Sequence, residues 1–289
     1  MPNVIEAFSN ARLTQGVIFT CAKAEGYEGC EVSGLIITAR CDAAQDKTAI
    51  YNYVPVVRLE DWLRRDFRII TCEREQKNVH GNLRQVLKSA GYTPAILDIH
   101  RPRAVLDTLF PIDHHQMAIR KARKSFEKSV AQFELLEDAL SSTPATVDLP
   151  KLHQQFSGTH MAVLRECITQ QLSGYYFLES ISPNDKDAAG FVVLLREIHH
   201  LPKELAGEVP GGIDQNAYEE VCNITELARG KLEFTSADFC LPLGRVRSPE
   251  IEHLMQAFAL LFTRVGIADP DPTLLDRFPA RYLVTREPA

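Results

Sequence analysis

The chain has 289 residues, of which 45% are hydrophobic and 24% are charged. This composition excludes a disordered or fibrous protein, and the length favours two domains or one domain with a large elaboration. The formal charge of −6 gives no overall attraction to nucleic acid or anionic lipid, so only a local basic patch would bind them.

Three short strands are predicted near the start of the chain, at 17–21, 35–39 and 49–57, because these segments are rich in Val, Ile, Phe and Tyr. Gly26 and Gly29 supply a turn between the first two strands. A closed or nearly closed barrel would hide the edges of such strands. We therefore predict a small SH3-like barrel in this N-terminal part.

The next part of the chain is predicted to be helical. Apolar residues recur at roughly helical spacing from 59 to 90, and Gly91 is placed to end this helix. Pro94 and Pro102 then break the chain before a short helix at 103–110. We place a module boundary in this region.

A long amphipathic helix is predicted from 114 to 140, where apolar residues recur every three or four positions. Its basic residues lie in the first half and its acidic residues in the second, which is the reverse of what the helix macrodipole favours. The basic residues are Arg120, Lys121, Arg123, Lys124 and Lys128. Two interpretations stay open. One is an ordinary solvated or salt-bridged face, and the other is an anion-binding site formed by Arg120, Lys121, Arg123 and Lys124.

A second β module is predicted after a helix at 149–172, because apolar strand segments at 175–181 and 190–198 flank a polar turn. Near the end of the chain, Ser248 is a candidate N-cap and Gly266 a candidate stop for an apolar helix.

The predicted fold is therefore α+β, with two small β modules joined and flanked by helices. The expected divisions are an N-terminal barrel-like module at 1–100, a linking helical region at 101–145 and a C-terminal α+β module at 146–289.

The first candidate functional corner follows the second predicted strand and consists of Arg40, Cys41, Asp42 and Lys47. A nucleophilic thiolate needs a nearby cation or histidine to lower its pKa, and Arg40 or Lys47 would supply the cation. The alternative is a structural role, in which Cys41 is buried and Asp42 caps the following turn.

No cofactor or metal is expected from the motifs. The sequence lacks Cys-x-x-Cys, His-Glu-x-x-His and the glycine-rich phosphate-binding patterns. It also lacks an apolar segment of the ~18 residues that a spanning helix needs. Seven scattered cysteines do not resemble a secreted disulfide framework. We expect a cytoplasmic protein with reduced thiols and no membrane contact.

Two motifs carry a resemblance. They are Gln15-Gly-x-Ile with Gly34-Leu-Ile-Ile-Thr-Ala-Arg-Cys-Asp42 and Lys47, and Ser248-Pro-Glu-x-Glu-x-Leu-x-Gln-x-Phe-x-x-Leu-Phe-x-Arg-x-Gly266. Together they resemble a group of uncharacterised bacterial proteins, whose members look like components of mobile or defence-type gene clusters. This resemblance implies a role in phage defence and assigns no chemistry.

The N-terminal part is also distantly similar to the barrels of MazF/PemK-like toxins. Those ribonucleases use an arginine just before the second strand, where this chain has Glu31-Val-Ser-Gly-Leu. The cation that would stabilise the transition state is therefore absent from its expected place. The likeness supports the fold and argues against that activity.

These observations predict a non-enzymatic regulatory or protein-interaction component of a bacterial cytoplasmic system, of the defence or toxin–antitoxin type, with a protein partner. An alternative is a ribonuclease-like or Cys-dependent hydrolase that uses the Arg40–Lys47 corner. A second alternative is nucleic-acid binding through the basic helix at 120–128.

Overall fold

The computed structural model describes residues 4–44, 48–112, 115–184, 190–235 and 239–263. Within these ranges the fold is α+β, as predicted. An antiparallel sheet curls into a half-barrel and packs against helices. No helix in the described ranges combines the length and apolarity that a membrane crossing needs.

The strands and helices are numbered in chain order. The strands are β1 (Ile5–Glu6), β2 (Val17–Phe19), β3 (Val32–Ile36), β4 (Ile50–Arg58), β5 (Tyr175–Leu178), β6 (Phe191–Leu194), β7 (His199–Pro202), β8 (Ile213–Asp214), β9 (Phe239–Cys240) and β10 (Pro242–Val246). The helices are α1 (Arg40–Ala44), α2 (Leu59–Trp62), α3 (Arg68–Ser89), α4 (Pro102–Leu109), α5 (Met117–Ser141), α6 (Leu149–Ile168), α7 (Lys203–Glu208), α8 (Gln215–Ile224) and α9 (Glu250–Leu260). A π-helical turn, Leu63–Phe67, joins α2 to α3.

The long strand β4 is the centre of the sheet. On one edge it pairs with β3, with Val57 opposite Val32. On the other edge it pairs with β6, with Val57 opposite Val192, and with β7. The strands that the sequence assigns to two β modules therefore lie in one eight-stranded sheet, whose main path runs β1-β10-β2-β3-β4-β6-β5.

Both faces of this sheet are covered, which explains why its inner strands are apolar at successive positions. All five residues of β3 are buried. Phe19 and Tyr53 on one face belong to the same buried cluster as Trp62. Leu35 on the other face belongs to a cluster with Ile251 and Leu254 of α9. A sheet exposed on one side would instead show alternation of apolar and polar residues.

Helices α3 to α6 form a separate apolar cluster in which arginines cap neighbouring helix ends. Arg68, the first residue of α3, donates to the carbonyls of Ala139, at 2.7 Å, and Ser142 at the end of α5. Arg123 of α5 donates to the carbonyl of Phe110 at the end of α4. These contacts show that α5 runs antiparallel to both α3 and α4. They also place a cation at each of two negative helix ends.

Several local predictions are confirmed. Strands β2 and β4 lie where apolar composition placed them, and α5 and α6 follow the predicted periodicity. Gly91 ends α3 with a φ of +83°. The backbone N–H of Tyr92 then donates to the carbonyl of Leu87, at 2.9 Å, as expected for a glycine-stopped helix.

Two predictions about element ends were wrong. Strand β3 begins at Val32, three residues before the predicted start, because its pairing with β4 extends that far. Ser248 does not cap α9. Its hydroxyl donates to the carboxylate of Glu252, at 2.5 Å, and the helix begins at Glu250. The predicted stop at Gly266 lies outside the described residues.

The close packing of β3 generates the first prediction. A Cβ atom at Gly34 would lie 2.5 Å from the ring of Phe19 and 2.9 Å from the ring of Tyr53. Both rings are buried, so Gly34→Ala should lower the free energy of unfolding by about 1–3 kcal/mol in urea denaturation. The matched control is Gly81→Ala, in the exposed part of α3, where the new methyl meets open space. This control should gain up to about 1 kcal/mol, and an equally stable Gly34→Ala protein would contradict the packing.

Candidate functional site

The predicted Arg40 corner is an exposed helical turn rather than a strand end. Arg40, Cys41 and Asp42 all lie in α1. The guanidinium of Arg40 lies 3.3 Å from the carboxylate of Glu252 in α9, and the thiol of Cys41 lies 3.6 Å from the carboxylate of Asp42. Lys47 lies outside the described residues. Among the described residues, no histidine forms a hydrogen bond or ion pair with these three side chains. The corner therefore lacks a histidine base in the part that the structure describes.

The predicted anion site on α5 divides into two parts. Arg123 is half-buried and caps α4, as described above. Arg120, Lys121 and Lys124 are exposed, as is Lys128 one turn further on. These four residues, Arg120, Lys121, Lys124 and Lys128, are called the basic face of α5 below. Within the described ranges, no carboxylate lies in ion-pairing distance of any of them.

The antiparallel packing explains why the charges of α5 are ordered against its own dipole. The acidic half of α5 lies beside the N-terminal end of α4, where Arg103 forms a bidentate ion pair with Glu134. This pair lowers the pKa of Glu134 through its hydrogen bonds. The basic half lies beside the C-terminal end of α4, which carries partial negative charge. Neighbouring helices thus offset part of the unfavourable charge order.

That compensation does not extend to the whole basic face. Arg120, Lys124 and Lys128 are spaced by four residues, which places them on one side of the helix over about 12 Å. Like charges at this spacing destabilise a helix by a few tenths of a kcal/mol per pair. The helix N-terminus adds its own positive potential to the same region. The result is a concentrated positive surface on a chain that is acidic overall.

Sequence reasoning missed a network of partly buried polar groups beneath the loop 23–30. Its centre is Asp66, which lies in the π-helical turn between α2 and α3. The hydroxyl of Tyr27 donates to Asp66 at 3.0 Å, and Tyr175 also hydrogen-bonds to this carboxyl group. The neighbouring Arg65 places its guanidinium 5.0 Å from the centroid of the Tyr27 ring and donates to the carbonyl of Gly26. The π-helical turn thereby holds the loop through Arg65 and Asp66.

A second set of contacts fixes the start of the same loop. The carboxylate of Glu197 accepts a hydrogen bond from the backbone N–H of Glu25, at 2.6 Å, and lies 2.5 Å from the ring nitrogen Nε2 of His199. The ring of His199 stacks on Tyr53 with centroids 5.4 Å apart. The adjacent His200 lies instead 2.8 Å from Nζ of Lys231. The two histidines have separate partners, as expected for neighbours on a strand.

We interpret this network as a clamp on the loop rather than as an acid–base site. Each polar group in it is bonded to the loop or to a residue that contacts the loop, so the contacts account for the burial. The sequence gives little indication of this clamp. The only local signs are Tyr27 between Gly26 and Gly29, and the pair Arg65-Asp66 near the start of a helix.

Comparisons of the chain with protein family models, with curated proteins and with solved structures gave no significant match. Function is therefore inferred from the described side chains.

The clamp makes the stability pH-dependent in a defined direction. Burial, the largest cause, raises the pKa of Asp66 above its value in the unfolded chain. The folded state therefore binds this proton more tightly. The stability that Asp66 contributes is fully present below the unfolded pKa and is lost as the pH rises through the folded pKa. Asn at this position cannot ionise, yet its side-chain oxygen still accepts from Tyr27.

We therefore expect Asp66→Asn to become more stable relative to the parent protein as the pH rises from about 3.5 to about 7. The measurement is urea denaturation of both proteins at a series of pH values. Asp107→Asn, on the exposed side of α4, is the matched control for removing one carboxyl group. A stability difference for Asp66→Asn that does not change with pH would show that the carboxyl group is not desolvated.

Proposed function

We propose that the protein binds nucleic acid through the basic face of α5. The observation that carries the proposal is the exposure of Arg120, Lys121, Lys124 and Lys128 without a carboxylate partner among the described residues. Elsewhere on the helical layer, arginines such as Arg74, Arg84 and Arg103 are each paired with a carboxylate. The basic face departs from this pattern.

The chemistry of the face suits a phosphate backbone. Lys and Arg side chains that neutralise phosphates release condensed counterions, which supplies most of the free energy of non-specific binding. A straight row of cations along one helix side presents several such contacts at once. Because the rest of the chain is acidic, the opposite surfaces should repel nucleic acid, and binding should be confined to this face.

The other predicted roles have less support. The regulatory or protein-interaction role in a defence-type system stays a prediction that the described residues do not test. The hydrolase alternative needs a base near Cys41, and the described part of the corner has no histidine there. The likeness to toxin barrels is likewise a prediction about the fold and does not bear on the proposal for α5.

The proposal predicts binding that falls steeply with salt. Four phosphate contacts on a duplex give a slope of about −3.6 for log K against log salt concentration, or roughly a 100-fold loss of affinity between 50 and 200 mM salt. The test is fluorescence anisotropy of a labelled duplex and a labelled single strand with the parent protein and with Arg120→Gln/Lys121→Gln/Lys124→Gln/Lys128→Gln. We expect the variant to lose most of the affinity and most of the salt slope.

The matched control is Arg64→Gln/Lys77→Gln/Lys151→Gln/Arg229→Gln, which removes the same number of exposed cations from other surfaces. It should bind nearly as well as the parent. Equal losses in the two variants would indicate a general charge effect and overturn the assignment to α5. Affinity of the parent protein that is independent of salt would do the same.

A further inference from the structure

Two cysteines that lie far apart in the sequence come close together just beyond the paired ends of β2 and β10: Cys21 follows β2, and Cys240 ends β9. Phe19 lies opposite Pro242, and the backbone N–H of Thr20 donates to the carbonyl of Leu241 at 3.0 Å. Cys240 follows on from this pairing and places its thiol 3.1 Å from the carbonyl oxygen of Thr20, the residue before Cys21. Both cysteines belong to the same buried cluster.

Each thiol shifts the pKa of the other, and their surroundings differ. Cys240 is fully buried, and its thiol donates to the carbonyl of Thr20 at 3.1 Å. Cys21 is 5% exposed. Contact with Cys240 lowers the pKa of Cys21, while the same contact and burial raise the pKa of Cys240. Cys21 is therefore the more acidic thiol of the pair.

A cavity of about 320 Å³ is lined by Cys21, and its lining also includes Thr20, Thr235, Ser33, Glu31 and Arg58. The side chains of Glu31 and Arg58 are about half exposed, so the cavity reaches the surface. Its volume is roughly ten times the ~30 Å³ that one water occupies in the liquid, so hydrogen peroxide fits within it. The guanidinium of Arg58 forms an ion pair with the carboxylate of Glu31 there, so these two side chains add no net charge to the cavity.

The backbone at Cys21 is also unusual. Its φ is +59°, a left-handed conformation that non-glycine residues rarely adopt. Such conformations persist where the surrounding structure enforces them, and they concentrate at functional sites. Here β2 has already ended at Phe19, and the side chain of Cys21 lines the cavity.

We propose that Cys21 and Cys240 form a cysteine pair that small hydroperoxides oxidise to a disulfide. The thiolate of Cys21 attacks one oxygen of the peroxide, the O–O bond breaks, and hydroxide leaves, which yields a sulfenic acid. The sulfur of Cys240 then attacks the sulfur of Cys21. An S–S bond forms, the S–O bond breaks, and the hydroxyl leaves with the proton of Cys240 as water.

The other cysteines provide internal comparisons. Burial raises the pKa of Cys72 to about 11 and that of Cys167 to about 12, so both remain thiols at neutral pH. Cys41 is exposed, and among the described residues it has no thiol partner. Oxidation driven only by exposure would therefore occur at Cys41, whereas oxidation driven by pairing would occur at Cys21 and Cys240.

The test treats the reduced full chain with stoichiometric hydrogen peroxide and maps disulfides by mass spectrometry of non-reduced peptides. We expect the chain to lose the mass of two hydrogen atoms and the peptide map to show a linked pair containing Cys21 and Cys240. Dithiothreitol should reverse both changes. Cys41→Ser should behave as the parent. Cys240→Ser should accumulate a sulfenic acid at Cys21 that dimedone captures, whereas Cys21→Ser should form no linked peptide.

Cys240 is buried, so Cys240→Ala serves as a second variant, and circular dichroism checks that each variant is folded. If neither variant folds, the peptide map of the parent and of Cys41→Ser decides the question. Modification confined to Cys41, a disulfide between other cysteines, or no linked peptide in a folded parent protein would each overturn the proposal.

Discussion

The arrangement of this protein depends on the pairing of β4 along both of its edges. Its nine residues, Ile50–Arg58, bond to β3 on one side and to β6 and β7 on the other. The first strands of the chain and those after Tyr175 therefore belong to one sheet, and the helices between them form a layer beside it. The Trp62 region packs against one face of this sheet, and α9 packs against the other. Burial on both faces then explains the apolar character of every inner strand.

Charge complementarity at helix ends orders the helical layer and leaves one surface uncompensated. Arg68 and Arg123 each cross to a neighbouring helix and bond to its last carbonyls, which fixes α5 antiparallel to α3 and α4. The same direction pairs Glu134 with Arg103. Once these partners are assigned, the exposed cations of α5 remain without carboxylates among the described residues. The basic face is thus a consequence of helix direction as well as of composition. The cysteine pair lies apart from this helical layer, where the chain segments that follow β2 and precede β10 come together.

Much of the local structure was predictable from sequence, and much of the candidate chemistry was not. The periodicity of α5, the strand composition of β4 and the stop at Gly91 are properties of neighbouring residues, so they were visible in the chain. Strands β1, β8 and β9 have two residues each and carry no periodic signal. The basic residues of α5 were identified correctly as a group, but the capping role of Arg123 needs the position of Phe110. The Arg40 turn was assigned to a strand end because α1 is too short to show helical periodicity.

The sequence by itself determined the α+β composition, the amphipathic helices and the polarised charge of α5, since each follows from spacing within a few turns of chain. Only the tertiary structure decided that the two groups of strands share β4, that Asp66 lies under the loop at Tyr27, and that Cys21 faces Cys240. In each of these relations the residues are far apart in the sequence. Their physical reason is burial and hydrogen-bond pairing between distant segments, which leaves no pattern in any local stretch of residues.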